Sequence, residues 1–140
     1  MKVSAKTEYA CIAILELASN YGAGEPVRSR KIAESHGVPH RFLVQILLQL
    51  KAAGLVSSAR GVTGGYRLTR PPGEVSLGQV MSAIEGSSSS THRKSPNASP
   101  DSPAVKVLMR AWQDVDARVG EVLSGITFAE LVGRAKKRKR

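Results

Sequence analysis

The sequence predicts a mostly α-helical protein that carries one small β-hairpin. Apolar residues recur at every third or fourth position in residues 4–20, 39–54 and 104–126, which is the spacing of one helix face. Two short β-prone runs, 55–60 and 66–70, lie on either side of a glycine-rich tip, as in a hairpin. Of the 140 residues, 41% are hydrophobic but only 4% are aromatic, so we expect a mainly aliphatic core.

Three helices are expected in the first part of the chain. The first spans about residues 4–20 and has a serine as its N-cap. The second covers about 30–36, with Ser29 as its N-cap and Gly37 as its stop. The third occupies 39–54, so the second and third helices meet across a tight Gly-Val-Pro turn. The apolar residues expected on their inner faces are Tyr9, Ala10, Ala13, Ile14, Leu17, Ala18, Ile32, Ala33, Phe42, Leu43, Ile46, Leu47 and Leu50.

The hairpin and a fourth helix follow in order. The hairpin ends at a Pro-Pro-Gly sequence, and Ser76 and Gln79 have the spacing of a capping box that opens a helix ending at Gly86. The resulting order is helix, helix–turn–helix, hairpin and helix. This order predicts a winged helix–turn–helix domain in residues 1–86.

Three further segments are separated by composition. Residues 87–103 are almost wholly serine, proline and polar residues, which indicates a flexible linker. Residues 104–133 hold a long amphipathic helix and a short last helix that starts at a second capping box. Residues 134–140 form a basic tail that we expect to be unfolded, either attracting phosphates or merely solubilising the chain.

The long C-terminal helix is expected to be a dimerisation helix. A domain this small has too few remaining residues to cover an apolar helix face that runs for more than twenty residues. Pairing with a second copy therefore explains this face better than burial within one chain. A homodimer would also present two DNA-reading heads to one duplex. The seam consists of Val105, Leu108, Met109, Trp112, Val115, Val119, Val122, Leu123 and Ile126.

Charge and cysteine content narrow the functional classes. A net charge of +10 favours a polyanionic partner, either nucleic acid or an anionic membrane surface. No apolar run approaches the ~20 residues that cross a bilayer, and Glu8 and Glu16 interrupt any signal-peptide core, so we expect a cytoplasmic protein without a membrane partner.

The single cysteine, Cys11, excludes an intrachain disulfide; it is most simply a small buried hydrophobe, with a redox sensor as the alternative.

The remaining side chains do not form a catalytic set. His36, His40 and His92 fall on a helix end, a helix start and the linker, and no paired carboxylate lies at helical spacing from any of them. We therefore expect a protein that is not an enzyme and that holds no metal or cofactor.

DNA-reading residues are expected at the start of the third helix, because the second helix of a helix–turn–helix enters the major groove by its N-terminal turn. Arg41 can present a bidentate fork to guanine and Gln45 to adenine, whereas Val44 offers only apolar contact, for instance to a thymine methyl group. The alternative is that these are ordinary solvated residues of an amphipathic helix. The candidates are Pro39, His40, Arg41, Val44 and Gln45.

The glycine-rich tip of the hairpin is the second candidate for contact with DNA. Glycines let a backbone approach a phosphate or a narrow minor groove, and Arg60 supplies charge. The alternative is an ordinary hairpin turn, and no Gly-Lys-Ser or Gly-Lys-Thr follows that would indicate nucleotide binding. The wing residues are Arg60, Gly61, Thr63, Gly64, Gly65 and Tyr66.

A characteristic set of residues runs along nearly the whole chain outside the linker and the tail. It consists of Lys6, Tyr9, Ala10, Ile32, Ala33, Pro39, Phe42, Leu43, Gln45, Ile46, Leu47, Leu50, Ala53, Gly54, Leu55, Val56, Ser58, Arg60, Gly61, Gly64, Gly65, Tyr66, Arg67, Leu68, Val80, Ala83, Ile84, Glu85, Gly86, Trp112 and 126–131. This set resembles the Rrf2 family of bacterial transcription regulators, in particular its IscR- and NsrR-like members. The Gly-Gly-Tyr wing and the Ala-Gly-Leu-Val helix end are its most specific parts.

The resemblance implies a homodimeric regulator that binds a palindromic operator and represses by blocking polymerase. It also implies that Arg41, Phe42, Val44 and Gln45 occupy recognition-helix positions and that Arg60–Gly65 form the wing. A nonspecific basic nucleic-acid-binding protein and a winged-helix module that regulates a partner enzyme are the alternatives.

The chain departs from the family's iron–sulfur members at two places. Those members place three cysteines between the fourth helix and the dimerisation helix, where this chain has serines and prolines, so we expect no thiolate-held cluster. Val44 stands where some members place a glutamate that tunes site choice, so operator preference is not carried over. Glu8, in contrast, lies where some of them supply an acidic ligand; without thiolates we interpret it as a remnant or as charge balance at the helix N-terminus. The signal stays open among a partner protein, a small ligand held between the head and the dimerisation helix, oxidation of Cys11, or no signal.

Overall fold

The protein is described by a computed structural model that covers residues 3–60, 64–86 and 99–138. It is mostly helical, with one antiparallel pair of strands among these residues. The elements are α1 (Ala5–Ser19), α2 (Ser29–His36), α3 (His40–Ala52), β1 (Val56–Ala59), β2 (Gly65–Leu68), α4 (Leu77–Glu85), α5 (Pro103–Gly125) and α6 (Phe128–Arg138), with a single 3-10 turn at Pro72–Glu74.

The core lies between α1, α2, α3, α4 and α6 and is built almost entirely from aliphatic side chains. The buried stripe of α3 consists of Leu43, Ile46, Leu47 and Leu50, whose spacing of three and four places them on one face. Phe128, from the first turn of α6, is fully buried in the same core. The expected aliphatic core is therefore confirmed, with one aromatic side chain in it.

Local capping signals explain where most helices begin and end. The hydroxyl of Ser4 accepts a hydrogen bond from the Thr7 amide at the start of α1, and Ser76 and Gln79 form a complete capping box at α4. Gly37 adopts a left-handed conformation (φ 66°) at the end of α2, as expected of a C-terminal glycine. Each of these three signals was readable from the sequence.

The expected cap of the second helix is wrong by one residue. The N-cap of α2 is Arg28, which makes no side-chain capping hydrogen bond, and Ser29 is the first helical residue. The reason is that the hydroxyl of Ser29 pairs with the His40 ring across the turn between the two helices, at 3.0 Å. The Ser29 hydroxyl thus makes a tertiary hydrogen bond instead of the expected capping hydrogen bond within its own helix.

The hairpin has the expected position. Val56 pairs with Leu68 and Ala59 with Gly65 at its two ends. Residues 61–63, which include Gly61 and Thr63 of the predicted wing tip, lie outside the described residues.

The C-terminal elements are longer than expected. α5 begins at Pro103, which was assigned to the linker, and Ser102 caps it; of that linker, residues 87–98 lie outside the described part. α6 continues to Arg138, so the prediction of an unfolded segment from residue 134 is wrong for 134–138. Alanine, lysine and arginine favour helix, and an Arg134–Glu130 ion pair (2.6 Å) links successive turns. None of the described helices is long and apolar enough to cross a membrane.

Candidate nucleic-acid interface

The outer face of α3 carries the residues expected to read bases. Arg41 and Gln45 are exposed, and Val44 is half-buried, on the side opposite the buried leucine and isoleucine stripe. Pro39 occupies the N-cap position and is exposed. Arg41 and Gln45 stay exposed among residues 3–60, 64–86 and 99–138, so their polar groups are available to a partner surface.

Phe42 was expected on the inner face of α3, but the structure places it at the surface. Its side chain is 60% exposed. It lies with Lys6, Tyr9 and Gln45 along a shallow groove between the first turns of α1 and α3. Position 42 sits at the edge of the α3 stripe, where α1 covers the helix only partly, and this explains its exposure. An aromatic side chain and a lysine therefore border the predicted reading face.

His40 links the two helices of the helix–turn–helix. Its half-buried ring pairs with the Ser29 hydroxyl, which joins the first turn of α3 to the first turn of α2. Either group can donate in this pair, depending on which ring nitrogen carries the proton. The contact fixes the starts of the two helices side by side.

The wing meets these helix starts on one open concave surface. β1 and β2 contribute one side of the surface, and the first turns of α2 and α3 contribute the other. Among the described residues, the lining contains two arginines and no carboxylate, which suits a polyanion. Its residues are Arg28, Ser29, Arg30, His40, Ser58, Ala59, Gly64, Gly65 and Tyr66.

The base of the wing is held against the residues that precede α2. The Tyr66 and Val27 backbones exchange two hydrogen bonds, of 2.7 and 2.8 Å. A Cβ atom on Gly65 would lie 2.6 Å from the Val27 carbonyl carbon and oxygen, and the φ of Gly65 is 151°, so only glycine fits here. This close crossing ties the position of the wing to that of α2.

Arg60 follows β1 directly and is exposed. Of the ten predicted DNA-contacting residues that the structure describes, four line the concave surface: His40, Gly64, Gly65 and Tyr66. Arg60 comes directly after Ala59, which also lines it. Sequence reasoning missed Arg28 and Arg30, although basic residues on either side of the predicted cap at Ser29 were a usable signal. It also missed Lys51, whose Nζ donates to the Ser58 hydroxyl at 2.7 Å and so joins α3 to the wing.

The C-terminal helix α5 contains no buried residue. It packs mainly against α4. Val105, Met109, Val119, Leu123 and Ile126 of the predicted seam are half-buried. Leu108, Trp112, Val115 and Val122 are exposed, Val122 by 62%.

Cys11 lies on α1 and is partly buried. Burial, followed by the nearby carboxylates of Glu8 and Glu85, raises the pKa of its thiol to about 11. A thiol with so high a pKa holds little thiolate at neutral pH, which is the reactive form. This environment disfavours the redox-sensor alternative.

Comparisons with known proteins agree over almost the entire chain. Residues 3–134 match the family model Rrf2, described as an iron-dependent transcriptional regulator. The regulator IscR of Aliivibrio salmonicida is 36% identical over 134 residues, which cover 94% of this chain and 77% of that protein. Two solved structures each superpose with a TM-score of 0.80. They are IscR of T. potens, at 34% identity over 100% of this chain and 92% of that one, and CymR of B. subtilis, described as the global cysteine regulator, at 29% identity over 96% and 98%.

The family's description names iron, and the side chains of this chain show whether they could bind it. The whole sequence contains one cysteine, and the described residues bring together no group of three histidine, cysteine or acidic side chains able to hold a metal. The carboxylates of Glu8 and Glu85 act on the Cys11 thiol, and both disfavour its thiolate. The donor set does not fit a cluster held by three thiolates from one chain.

Both the sequence match and the structural likeness cover the winged helix–turn–helix and the C-terminal helices, and they confirm the fold and the resemblance predicted from the sequence. The chain is a member of the Rrf2 family of DNA-binding transcriptional regulators.

Proposed function

We propose that the protein is a homodimeric repressor that binds a palindromic operator through α3 and the wing, without an iron–sulfur cluster. The observation that carries this proposal is the shared surface on which the starts of α2 and α3 meet the wing. Its described lining includes Arg28 and Arg30 and no carboxylate. A surface of that charge attracts the phosphate backbone, and its edge is the exposed face of α3.

Within this interface, α3 supplies base contacts. The forked guanidinium of Arg41 matches the O6 and N7 acceptors of guanine, and the amide of Gln45 matches N7 and N6 of adenine. Both side chains are exposed on the outer face of α3. Pro39 and His40 set the start of this helix, and His40 is braced by Ser29.

The wing supplies contacts to the adjoining backbone or minor groove. Arg60 provides the charge and Gly64, Gly65 and Tyr66 provide the backbone that approaches DNA. Gly61 and Thr63 belong to the same proposed contact by their place in the sequence. The Val27–Tyr66 pairing supports it, because it holds the base of the wing beside α2.

Dimerisation through α5 is supported by what the helix leaves exposed. A 23-residue helix with no buried residue keeps a row of apolar side chains in water unless a partner covers them. A second copy offers the same row, so a symmetric pairing satisfies both chains. Two α3 helices related by a twofold axis would then match two inverted half-sites. A dimer seated on a promoter would block polymerase sterically.

The test is duplex binding measured by fluorescence anisotropy at several salt concentrations. Arg41→Ala is expected to reduce the preference for a selected operator over random DNA by about tenfold or more, because one bidentate base contact is lost. The double variant Lys136→Gln, Lys137→Gln is the control: these exposed α6 residues should affect all sequences alike and lower the salt slope. Equal effects from both variants would favour a nonspecific nucleic-acid-binding protein. Weak binding by every form would favour a partner-docking module.

A further inference from the structure

We propose that Leu48 is a fourth base-reading position on α3 and that, together with Val44, it recognises the C5-methyl group of thymine in the major groove. The inference rests on the proposed function, since it requires α3 to lie in that groove. It adds an apolar element of specificity to the polar contacts of Arg41 and Gln45.

The position of Leu48 along α3 places it on the reading face. Arg41, Val44, Gln45 and Leu48 follow the spacing i, i+3, i+4, i+7, which forms one stripe over two helical turns. The recognition helices of homeodomains read the major groove with four residues at this same spacing. The stripe is about 10 Å long at 1.5 Å per residue, a length that a base-reading helix can present within one groove.

The exposure of Leu48 is unusual for its residue type. Its side chain is 55% exposed, whereas the adjacent Ile46 and Leu47 are buried in the core. Within α3, the strongly exposed large apolar side chains are Phe42 and Leu48. Phe42 lies in the groove beside α1, but Leu48 is on the outer side of the helix, two turns beyond Arg41.

The chemistry of the major groove identifies what Leu48 would contact. Base edges there present hydrogen-bond donors and acceptors, together with one apolar group, the methyl of thymine. A leucine side chain makes no hydrogen bond, so the thymine methyl is the one base group that rewards its burial. Val44, one turn earlier and half-buried, presents the adjoining apolar surface. The two side chains form an apolar pair at i, i+4 within an otherwise polar stripe.

The inference is tested by replacing thymine with uracil, one position at a time, in each half-site of an operator selected from random DNA. The replacement removes the methyl group and keeps the base pair. For the unsubstituted protein we expect a loss of affinity of about fourfold at one or two adjacent positions in each half-site, the effect of burying one methyl-sized group.

The variants separate Leu48 from its neighbours. Leu48→Ala should clearly lower the cost of uracil, with Val44 accounting for what remains, while Leu48→Met, which keeps an apolar side chain, should retain the preference for thymine. Arg41→Ala should keep the sensitivity to uracil and lose a guanine preference at another position. Each measurement is accompanied by circular dichroism to confirm that the variant is folded.

Two results would overturn the inference while leaving the proposed function intact. One is an equal cost of uracil for the unsubstituted protein and for Leu48→Ala. The other is a change in oligomeric state on Leu48→Ala with unchanged DNA preference, which would place Leu48 in a protein interface. If the unsubstituted protein selects no sequence at all, the proposed function itself fails.

Discussion

The hydroxyl oxygen of Ser29 and Nε2 of His40 lie 3.0 Å apart and join the first turns of α2 and α3. Ser29→Ala removes this contact and frees the His40 ring beside the reading face. We expect a loss of about 1 kcal/mol in the free energy of unfolding, typical of one hydrogen bond, and a several-fold weaker affinity for the operator. Urea denaturation and anisotropy measure the two effects.

Ser19→Ala is the matched control for this change, because the Ser19 hydroxyl bonds only to the Leu15 carbonyl of its own helix among the contacts described. Its operator affinity should remain that of the unsubstituted protein. If Ser29→Ala also leaves affinity unchanged, the contact does not position the reading helix.

Gly65→Ala should disrupt the base of the wing. The added Cβ would lie 2.6 Å from the Val27 carbonyl, so either the wing or the segment before α2 must shift. We expect destabilisation of about 1–3 kcal/mol and a loss of DNA affinity larger than the stability change alone explains. Thermal unfolding and anisotropy together distinguish these contributions.

Gly133→Ala provides the comparison for that substitution. Gly133 is inside α6 and a Cβ atom there meets nothing within 4 Å. The same change should stabilise the protein by about 0.5–1 kcal/mol, because alanine favours helix over glycine. A Gly65→Ala protein as stable as Gly133→Ala would contradict the close crossing at Val27.

The Cys11 thiol should titrate far above its ordinary range. Burial, then Glu8 and Glu85, raises its pKa from 9.0 to about 11 in the folded protein. The protonated thiol is therefore favoured on folding, and its contribution to stability is complete below pH 9.0 and is lost as the pH rises through about 11. Thiolate absorbance in the ultraviolet, with Cys11→Ala as the blank, follows the titration directly.

The raised pKa of the Cys11 thiol also predicts that it is alkylated slowly at neutral pH. The unfolded chain in denaturant should react faster with iodoacetamide, because its thiol has both a lower pKa and greater access. A folded protein that reacts as fast as the denatured one would instead restore the redox-sensor interpretation.

Val115→Glu should break the proposed dimer. Val115 is exposed on the apolar side of α5, so a carboxylate there would be buried without a partner if two copies pair through this face. We expect a monomer in analytical ultracentrifugation and a loss of operator affinity of at least tenfold. Ala117→Glu adds the same charge on the opposite side of the helix and should leave both properties unchanged. A dimeric Val115→Glu protein would rule out this face as the interface.

Features encoded by local sequence were predicted well. The caps at Ser4 and Ser76, the stop at Gly37 and the buried stripe of α3 depend on residues within one or two turns of each other. The fold order followed from them because each boundary had its own chemical signal. The outer position of Arg41 and Gln45 followed from the same periodicity.

Features that depend on contacts between distant segments were not predictable. The start of α2 moved from the expected cap because Ser29 bonds to His40, eleven positions away. The pairing of Tyr66 with Val27 joins residues far apart in the sequence, and together with the positive φ of Gly65 it explains why this residue must be glycine. The length of α6 was underestimated because a run of basic residues resembles a solvated tail as much as a helix end. Leu48 was overlooked because a leucine is usually assigned to the core, although its spacing from Arg41 already places it on the outer face of α3.

Selection of bound duplexes from a random DNA pool by the full chain tests most directly whether α3 reads bases twice in a symmetric pair. The protein should enrich one sequence with two inverted half-sites, whose centres are one helical turn or a multiple of it apart. Enrichment of no sequence, or of a single site without twofold symmetry, would contradict the proposed arrangement.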